Sequence, residues 1–229
     1  MGRTLVFGDI HGCDTALDVL LERTAPTLRD RLIFLGDYVD RGPNSRGVID
    51  RLLHLGDSLE CVFLEGNHEE MMLDSIAGRS GGDMWLSFGG ENTLRSYSPD
   101  VRTISMEDVP AEHIAFLEGL TEYHETAEHV FVHACVDPAL PMSEQDRATL
   151  RWKKLYAADP HCSGRMVVCG HTSQASGLPL DFGHTLCIDT QVYGERGWLS
   201  CLDLDGMFVL QGNEAGTLRR LERDQFLRA

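Results

Sequence analysis

Seven polar residues follow directly on apolar runs. They are Asp9 and His11 in "TLVFGDIHG", Asp37 in "RLIFLGDYVDRG", Asn67 and His68 in "CVFLEGNHE", His133 in "HVFVHA" and His171 in "RMVVCGHT". An extended chain puts residues i and i+2 on one side, so Asp9 and His11 can aim at a single point. Any one of these alone reads as a turn residue or a hydrogen-bonded histidine. Gathered at the ends of five apolar runs, they read as a constellation. Asp, His and Asn without a thiolate suit hard to borderline divalent cations such as Mn, Fe or Zn. A carboxylate shared by two such ions ~3.5–4 Å apart is the arrangement that serves in-line displacement at phosphorus. The glycines beside these residues let backbone approach closely without a Cβ clash.

The elements that must position them can be read from periodicity. The runs from Thr4, Arg31 and Cys61 are continuous apolar strand candidates, each ending in Gly plus a polar residue. Between them, "DTALDVLLERT" puts Leu17, Leu20 and Leu21 on one helical face, and "SRGVIDRLLHL" does so with Val48, Ile49, Leu52 and Leu53. Apolar strands alternating with helices predict βαβ units and a sheet covered on both faces, with ligands beyond the carboxyl ends of the strands. Residues 80–125, broken by glycines in "SGGDMWLSFGGENTLRSY", are expected to form a helical insertion above that edge, with a short helix from near Pro110 and a helical face carrying Trp85, Phe88 and Tyr97. The last third predicts short strands, a hairpin at Asp205-Gly206 and a helix within "SEQDRATLRWKKLYA" capped by Ser143. The charged end "RRLERDQFLRA" is expected to be solvated. His54, His113, His129 and His161 are read as surface residues, His124 as a marginal pocket candidate and His184 as structural. Together the chain, 1–229, is expected to be one domain.

Composition sets limits. The sequence has 229 residues, 42% apolar, with 36 Asp+Glu against 20 Lys+Arg and a formal charge of -16. An acidic surface of this kind disfavours nucleic acid and anionic membrane as partners, yet bound metal ions can reverse the potential inside one pocket. The 7 cysteines are scattered without a CxxC and several lie in strand-like runs, which predicts reduced core thiols and a reducing compartment. No apolar run approaches the ~20 residues of a membrane span. The N-terminus passes straight into a strand, so cytoplasmic location is expected.

The motifs "GDIHG", "GDYVDRG", "GNHE", "VHA" and "GHT", in that order from Gly8 to Thr172, resemble the metallophosphoesterase superfamily. "GDYVDRG" with "GNHE" resembles its phosphoprotein phosphatase branch, and "GNHEEMMLD" the small bacterial and phage-type members. The resemblance implies an α/β fold of two mixed β-sheets flanked by helices, an α/β/β/α sandwich. It implies two divalent ions, Mn2+ or otherwise Fe or Zn, with Asp9 and His11 on the first, Asp37 bridging, and Asn67, His133 and His171 on the second. A hydroxide between the ions would attack phosphorus directly. His68 with Asp40 resembles the family's acid dyad; an alkoxide leaving group needs a proton, and histidine is the usual donor near neutrality. Arg41 is expected to clamp phosphate oxygens, with Asn67 assisting, because a guanidinium fork matches them. The family's second arginine falls near "TLRWKKLY", where Arg151 is the first choice and Lys154 its rival. Arg165 is read as structural, and Asp189 as a group supporting the site from behind.

The function expected is metal-dependent hydrolysis of phosphoserine or phosphothreonine in proteins. The alternative is hydrolysis of dinucleoside polyphosphates or other small phosphorylated metabolites. A nucleotide hydrolase is expected to show a base-stacking platform, and none is legible. A catalytically dead binding module is disfavoured because none of the six expected ligands is missing.

Overall fold

The computed structural model describes residues 2–79, 82–98 and 106–228. In chain order the elements are β1 (Thr4–Phe7), α1 (Asp14–Thr24), β2 (Arg31–Phe34), α2 (Ser45–Ser58), β3 (Glu60–Phe63) and α3 (Asn67–Ile76). Then come α4 (Gly82–Trp85), a π-type segment (Leu86–Gly90), α5 (Glu91–Tyr97), α6 (Ala111–Glu118), β4 (Tyr123–Glu125), β5 (His129–Val132), α7 (Arg147–Trp152) and β6 (Met166–Cys169). The chain finishes with β7 (Leu180–Asp181), β8 (Thr185–Cys187), β9 (Leu199–Asp203), β10 (Phe208–Gly212), β11 (Leu218–Glu222) and β12 (Leu227–Arg228).

The strands form two six-stranded mixed sheets, ordered β11-β10-β9-β1-β2-β3 and β12-β7-β8-β6-β5-β4. Successive strand residues face opposite ways, and the burial pattern uses that. Val6, Ile33 and Leu202 from one sheet meet Phe131, Val168 and Leu186 from the other in the central layer. The alternate residues Leu5, Phe7, Leu32 and Phe34 pack outward against Leu17 and Leu20 of α1 and Val48, Ile49 and Leu52 of α2. On the far side Val130, Val132 and Val167 pack against Leu150 of α7. The result is the four-layer α/β sandwich that the motifs implied. β1, β2 and β3 run parallel, as do β5 and β6, so each group delivers its carboxyl ends to one edge.

Local chemistry sets the helix boundaries. α2 begins where Asn44 accepts from Gly47 N at 3.0 Å, satisfying a donor the first turn leaves free. The helix expected after Ser143 starts later. Met142–Glu144 is one 3-10 turn, and α7 is capped by Asp146, which accepts from Thr149 N at 2.9 Å. Residues 123–125, expected to end the helical insertion, are a strand of the second sheet. All seven cysteines are free thiols, five of them buried. Among the described residues no helix is long and apolar enough to cross a membrane.

The charged end is not a solvated tail. β11 pairs with β10, β12 pairs with β7, and Phe226 between them enters the inter-sheet layer. Asp181, buried, receives Arg223 Nε at 2.8 Å and Arg228 Nη1 at 2.5 Å. Burial alone would raise this carboxyl; the hydrogen bonds from Arg223 and Gly183 N–H and the charges of Arg223 and Arg228 outweigh it and hold the group below the usual carboxylate range. A lowered folded value stabilises above the unfolded value of about 3.9 and is lost as pH falls through the folded one. An Asp181→Asn variant is therefore expected to be less stable than the parent in urea unfolding at pH 7, with the gap closing below about pH 3.9. An equal gap at both pH values would mean that the arginine contacts contribute nothing.

Candidate metal centre

The five strand ends converge as the topology requires. Asp9 and His11 follow β1, Asp37 follows β2, Asn67 and His68 open α3 after β3, His133 follows β5 and His171 follows β6. All seven are buried. Two groups of donor atoms, His11, Asp37 and His68, and Asp37, His133 and His171, each gather within 4.8 Å. Asp37 belongs to both: its Oδ2 lies 3.4 Å from His11 Nε2 and its Oδ1 3.4 Å from His133 Nε2.

The imidazoles are oriented from behind. His11 Nδ1 lies 3.0 Å from Val39 O, and His133 Nδ1 lies 2.8 Å from Leu35 O. A ring nitrogen that donates to a carbonyl leaves the other nitrogen unprotonated and free to ligate. Asn67 Oδ1 lies 3.1 Å from His133 Nε2. Asp9 is set slightly apart, its two oxygens accepting from His171 N at 3.2 and 3.0 Å. Two glycines make these approaches feasible: a Cβ on Gly66 would stand 2.2 Å from Asp37 Oδ1, and one on Gly170 2.0 Å from Asp9 Oδ1.

Backbone strain collects here. Among the described residues, His11 (φ 48°), Asp37 (53°), Asp40 (74°), Arg41 (67°) and His171 (62°) hold positive φ without being glycine, against Ala25, Gln191 and Met207 elsewhere. Each such residue costs ~1–3 kcal/mol and persists only where its surroundings impose it.

The electrostatics favour an added positive charge. Burial, then the carboxylates Asp189 and Asp37, push Asp9 well above the carboxylate range. Burial pushes His11 and His133 down, and His171 to about 3. Burial also opposes ionisation of Asp37, but the surrounding imidazoles of His133, His68, His11 and His171 outweigh it and hold this carboxyl well below its usual range. Imidazole nitrogens, buried carboxylates and an amide oxygen fit a pair of hard to borderline divalent cations.

His68 faces Asp40, with Nδ1 2.6 Å from Oδ2. Burial would lower this imidazole, but Asp37 and the hydrogen bond the ring donates to Asp40 raise it above its ordinary value. Asp40 also receives Trp85 Nε1 and Thr93 Oγ1. Trp85, read as a helical-face residue, is thus a buried partner of the dyad, while Phe88 is exposed. Arg41 Nη1 lies 2.9 Å from His11 Nε2, and its guanidinium lies 4.5 Å over the ring of Tyr193. Asp189 accepts from Ser173 Oγ at 2.6 Å and Gln191 N at 2.9 Å, bracing the segment after His171.

Three positions, Arg151, His113 and His161, differ from expectation. Arg151 is fully buried in α7, with Nη2 2.8 Å from Glu65 and 3.2 Å from Glu122, and Nη1 3.2 Å from Glu70. The guanidinium thus faces three carboxylates, which come from other elements and so leave no sign in the local sequence. Its rival Lys154 is exposed and donates Nζ to His171 O at 2.8 Å. His113, Tyr97-bonded at 2.9 Å, and His161 are buried rather than at the surface.

Glu69 carries no signal beyond its place in "GNHE", yet it organises the centre. Its carboxylate accepts from Asp37 N, Tyr38 N, Val39 N and Gly66 N at 2.8, 2.7, 3.3 and 3.0 Å. Glu69→Ala would orphan four buried donors, each costing ~1–3 kcal/mol. A loss of at least about 3 kcal/mol in denaturant unfolding is expected; a loss under about 1 kcal/mol would show that water replaces the carboxylate.

Residues 2–175 match the family of calcineurin-like phosphoesterases. The chain belongs to that family. Over 150 residues, 65% of its length, this phosphoesterase is 29% identical to serine/threonine-protein phosphatase 1 of Salmonella typhimurium strain LT2. Over 73 residues, 31% of its length, it is 44% identical to the symmetrical bis(5'-nucleosyl)-tetraphosphatase of Acidovorax sp. strain JS42. These matches span 62% and 25% of the relatives' own lengths. The crystal structure of a putative diadenosine tetraphosphatase shares the fold, with a TM-score of 0.66 at 21% identity, covering 96% of this chain and 93% of that one.

Proposed function

We propose that this phosphoesterase is a metal-dependent phosphoric monoester hydrolase acting on phosphoserine and phosphothreonine in proteins. The observation that carries the reading is the buried pair His68–Asp40, at 2.6 Å within "GDYVDRG" and "GNHE". A simple alkyl phosphate has a poor leaving group, so a positioned acid matters most for such esters.

In this reading Asp9, His11, Asp37, Asn67, His133 and His171 hold two divalent ions, Mn2+ among the candidates. When bound, such a pair supplies Lewis acidity toward phosphoryl oxygens and a nucleophile from water near neutrality. The chain's own groups do the rest. Arg41 swings from its stack on Tyr193 to grip two phosphoryl oxygens, and Asn67 lends its amide N–H. Lys154, rather than Arg151, supplies the second cation. His68 carries a proton on Nε2 for the departing oxygen, and Asp40 fixes the ring so that Nε2 faces that oxygen.

A second reading, symmetrical cleavage of dinucleoside polyphosphates, is favoured by one observation: the 44% identity to the Acidovorax tetraphosphatase, over 73 residues. The deciding assay uses chelator-stripped protein, Mn2+ added back, and a phosphothreonine peptide beside diadenosine tetraphosphate. Mn-dependent phosphate release from the peptide is expected to dominate. Cleavage of the dinucleotide alone would replace the first reading with the second, and turnover of neither would reject both.

A further inference from the structure

We propose that Trp85 and Thr93 are positioning residues for proton donation, so that the helical segment from Trp85 to Thr93 completes the acid dyad. The inference rests on the assignment of His68 as general acid made above. The Asp40 carboxylate has no solvent exposure. Besides His68, it accepts from Trp85 Nε1, 3.0 Å from both oxygens, and from Thr93 Oγ1 at 2.7 Å. The terminal torsion of an aspartate is soft and two-fold. A single imidazole partner would leave that torsion free, whereas donors from three directions hold it. The indole has one N–H to give, and it is spent on this carboxylate from a side chain only 1% exposed.

The same stretch also holds the backbone under the dyad. Asp40 N donates to Thr93 Oγ1 at 2.8 Å, Arg41 N to Gly89 O at 3.3 Å, and Asn92 Nδ2 to Arg41 O at 2.6 Å. Among the described residues, Asp40 and Arg41 are the one pair of adjacent non-glycine residues that both hold positive φ, at 74° and 67°. Such a turn needs external restraint, and this stretch provides it.

A structural role for Trp85 and Thr93 would affect all substrates alike. A positioning role affects those that need the proton. In the step, the Nε2 proton passes to the ester oxygen as the P–O bond breaks and its electron pair moves onto that oxygen, while a water-derived oxygen bonds to phosphorus. A threonine alkoxide depends on that proton; p-nitrophenolate leaves readily without it.

The test is the ratio of kcat on a phosphothreonine peptide to kcat on p-nitrophenyl phosphate, measured on the Mn-loaded protein. Removing one hydrogen bond to a buried charge is expected to lower this ratio about tenfold in Trp85→Phe and in Thr93→Val. Thr93→Ser, which keeps the hydroxyl, restores it. His68→Asn lowers it furthest. Should Trp85→Phe fail to fold, as judged by its thermal melt, the Thr93 pair carries the test. An unchanged ratio in both variants beside a lowered one in His68→Asn would overturn this inference alone. An unchanged ratio in His68→Asn would overturn the acid assignment and this inference with it.

Discussion

An Asp37→Asn variant is expected to lose both Mn-dependent turnover and the stabilisation that Mn2+ confers. Asp37 is the one carboxylate common to both donor groups, so its replacement weakens both at once. Changing a partner behind a metal ligand typically costs ~10–100-fold; for a shared ligand about 100-fold is a floor. Binding to the native state alone stabilises by about 2.7 kcal/mol at 100 times Kd. For a chain of this size that raises Tm by about 5–10 °C. The measurement is a pair of melts, with and without Mn2+, on parent and variant. A Tm rise of the same size in both would remove Asp37 from the centre.

Replacing His68 by asparagine is expected to lower kcat on a phosphothreonine peptide by ~10²–10⁴-fold, the usual worth of a positioned general acid. KM is expected to change little, because the lost interaction is made in the transition state and not with bound substrate. The geometry supports this split. His68 sits 4.0 Å from Asp37 through Nε2 while Nδ1 is taken up by Asp40 at 2.6 Å, so the ring stands beside the donor cluster with its rear fixed. Steady-state kinetics with saturating Mn2+ decide it. A raised KM at unchanged kcat would make His68 a binding residue, and a parallel loss of the Mn-induced Tm rise would make it a ligand, which its place within 4.8 Å of His11 and Asp37 permits.

The two predictions address different layers of one design. The proposed metal ligands come from strand ends on both sheets, and the sandwich brings those ends together. The proposed acid dyad is assembled from the segment after β2, from α3 and from a helical segment that belongs to neither sheet. Variants in the first layer should be read by melts, and variants in the second by leaving-group dependence.

Much of this was written in local sequence. Continuous apolar runs marked β1, β2, β3, β5 and β6 and the polar residues behind them, which follow a glycine in every case but β5, because burial on both faces leaves a parallel strand no other pattern. The leucine spacing of α1 and α2 marked their inward faces, because side chains three and four apart share a helical side. The donor types pointed to hard or borderline cations before any coordinate was known. What tertiary structure alone decided are contacts between segments distant in sequence. Asp40 meets Trp85 and Thr93 across 45 and 53 residues, and nothing local to either says so. Arg151 reads as a reachable cation until Glu65 and Glu122, brought in from the turn after β3 and from the approach to β4, pair with it. The charged terminal stretch looks solvated until Phe226 finds the inter-sheet layer and Asp181 its two arginines. Sequence pattern reports which side of an element is apolar; which elements become neighbours is set by the order of strands in the sheets, and a linear pattern does not carry that order.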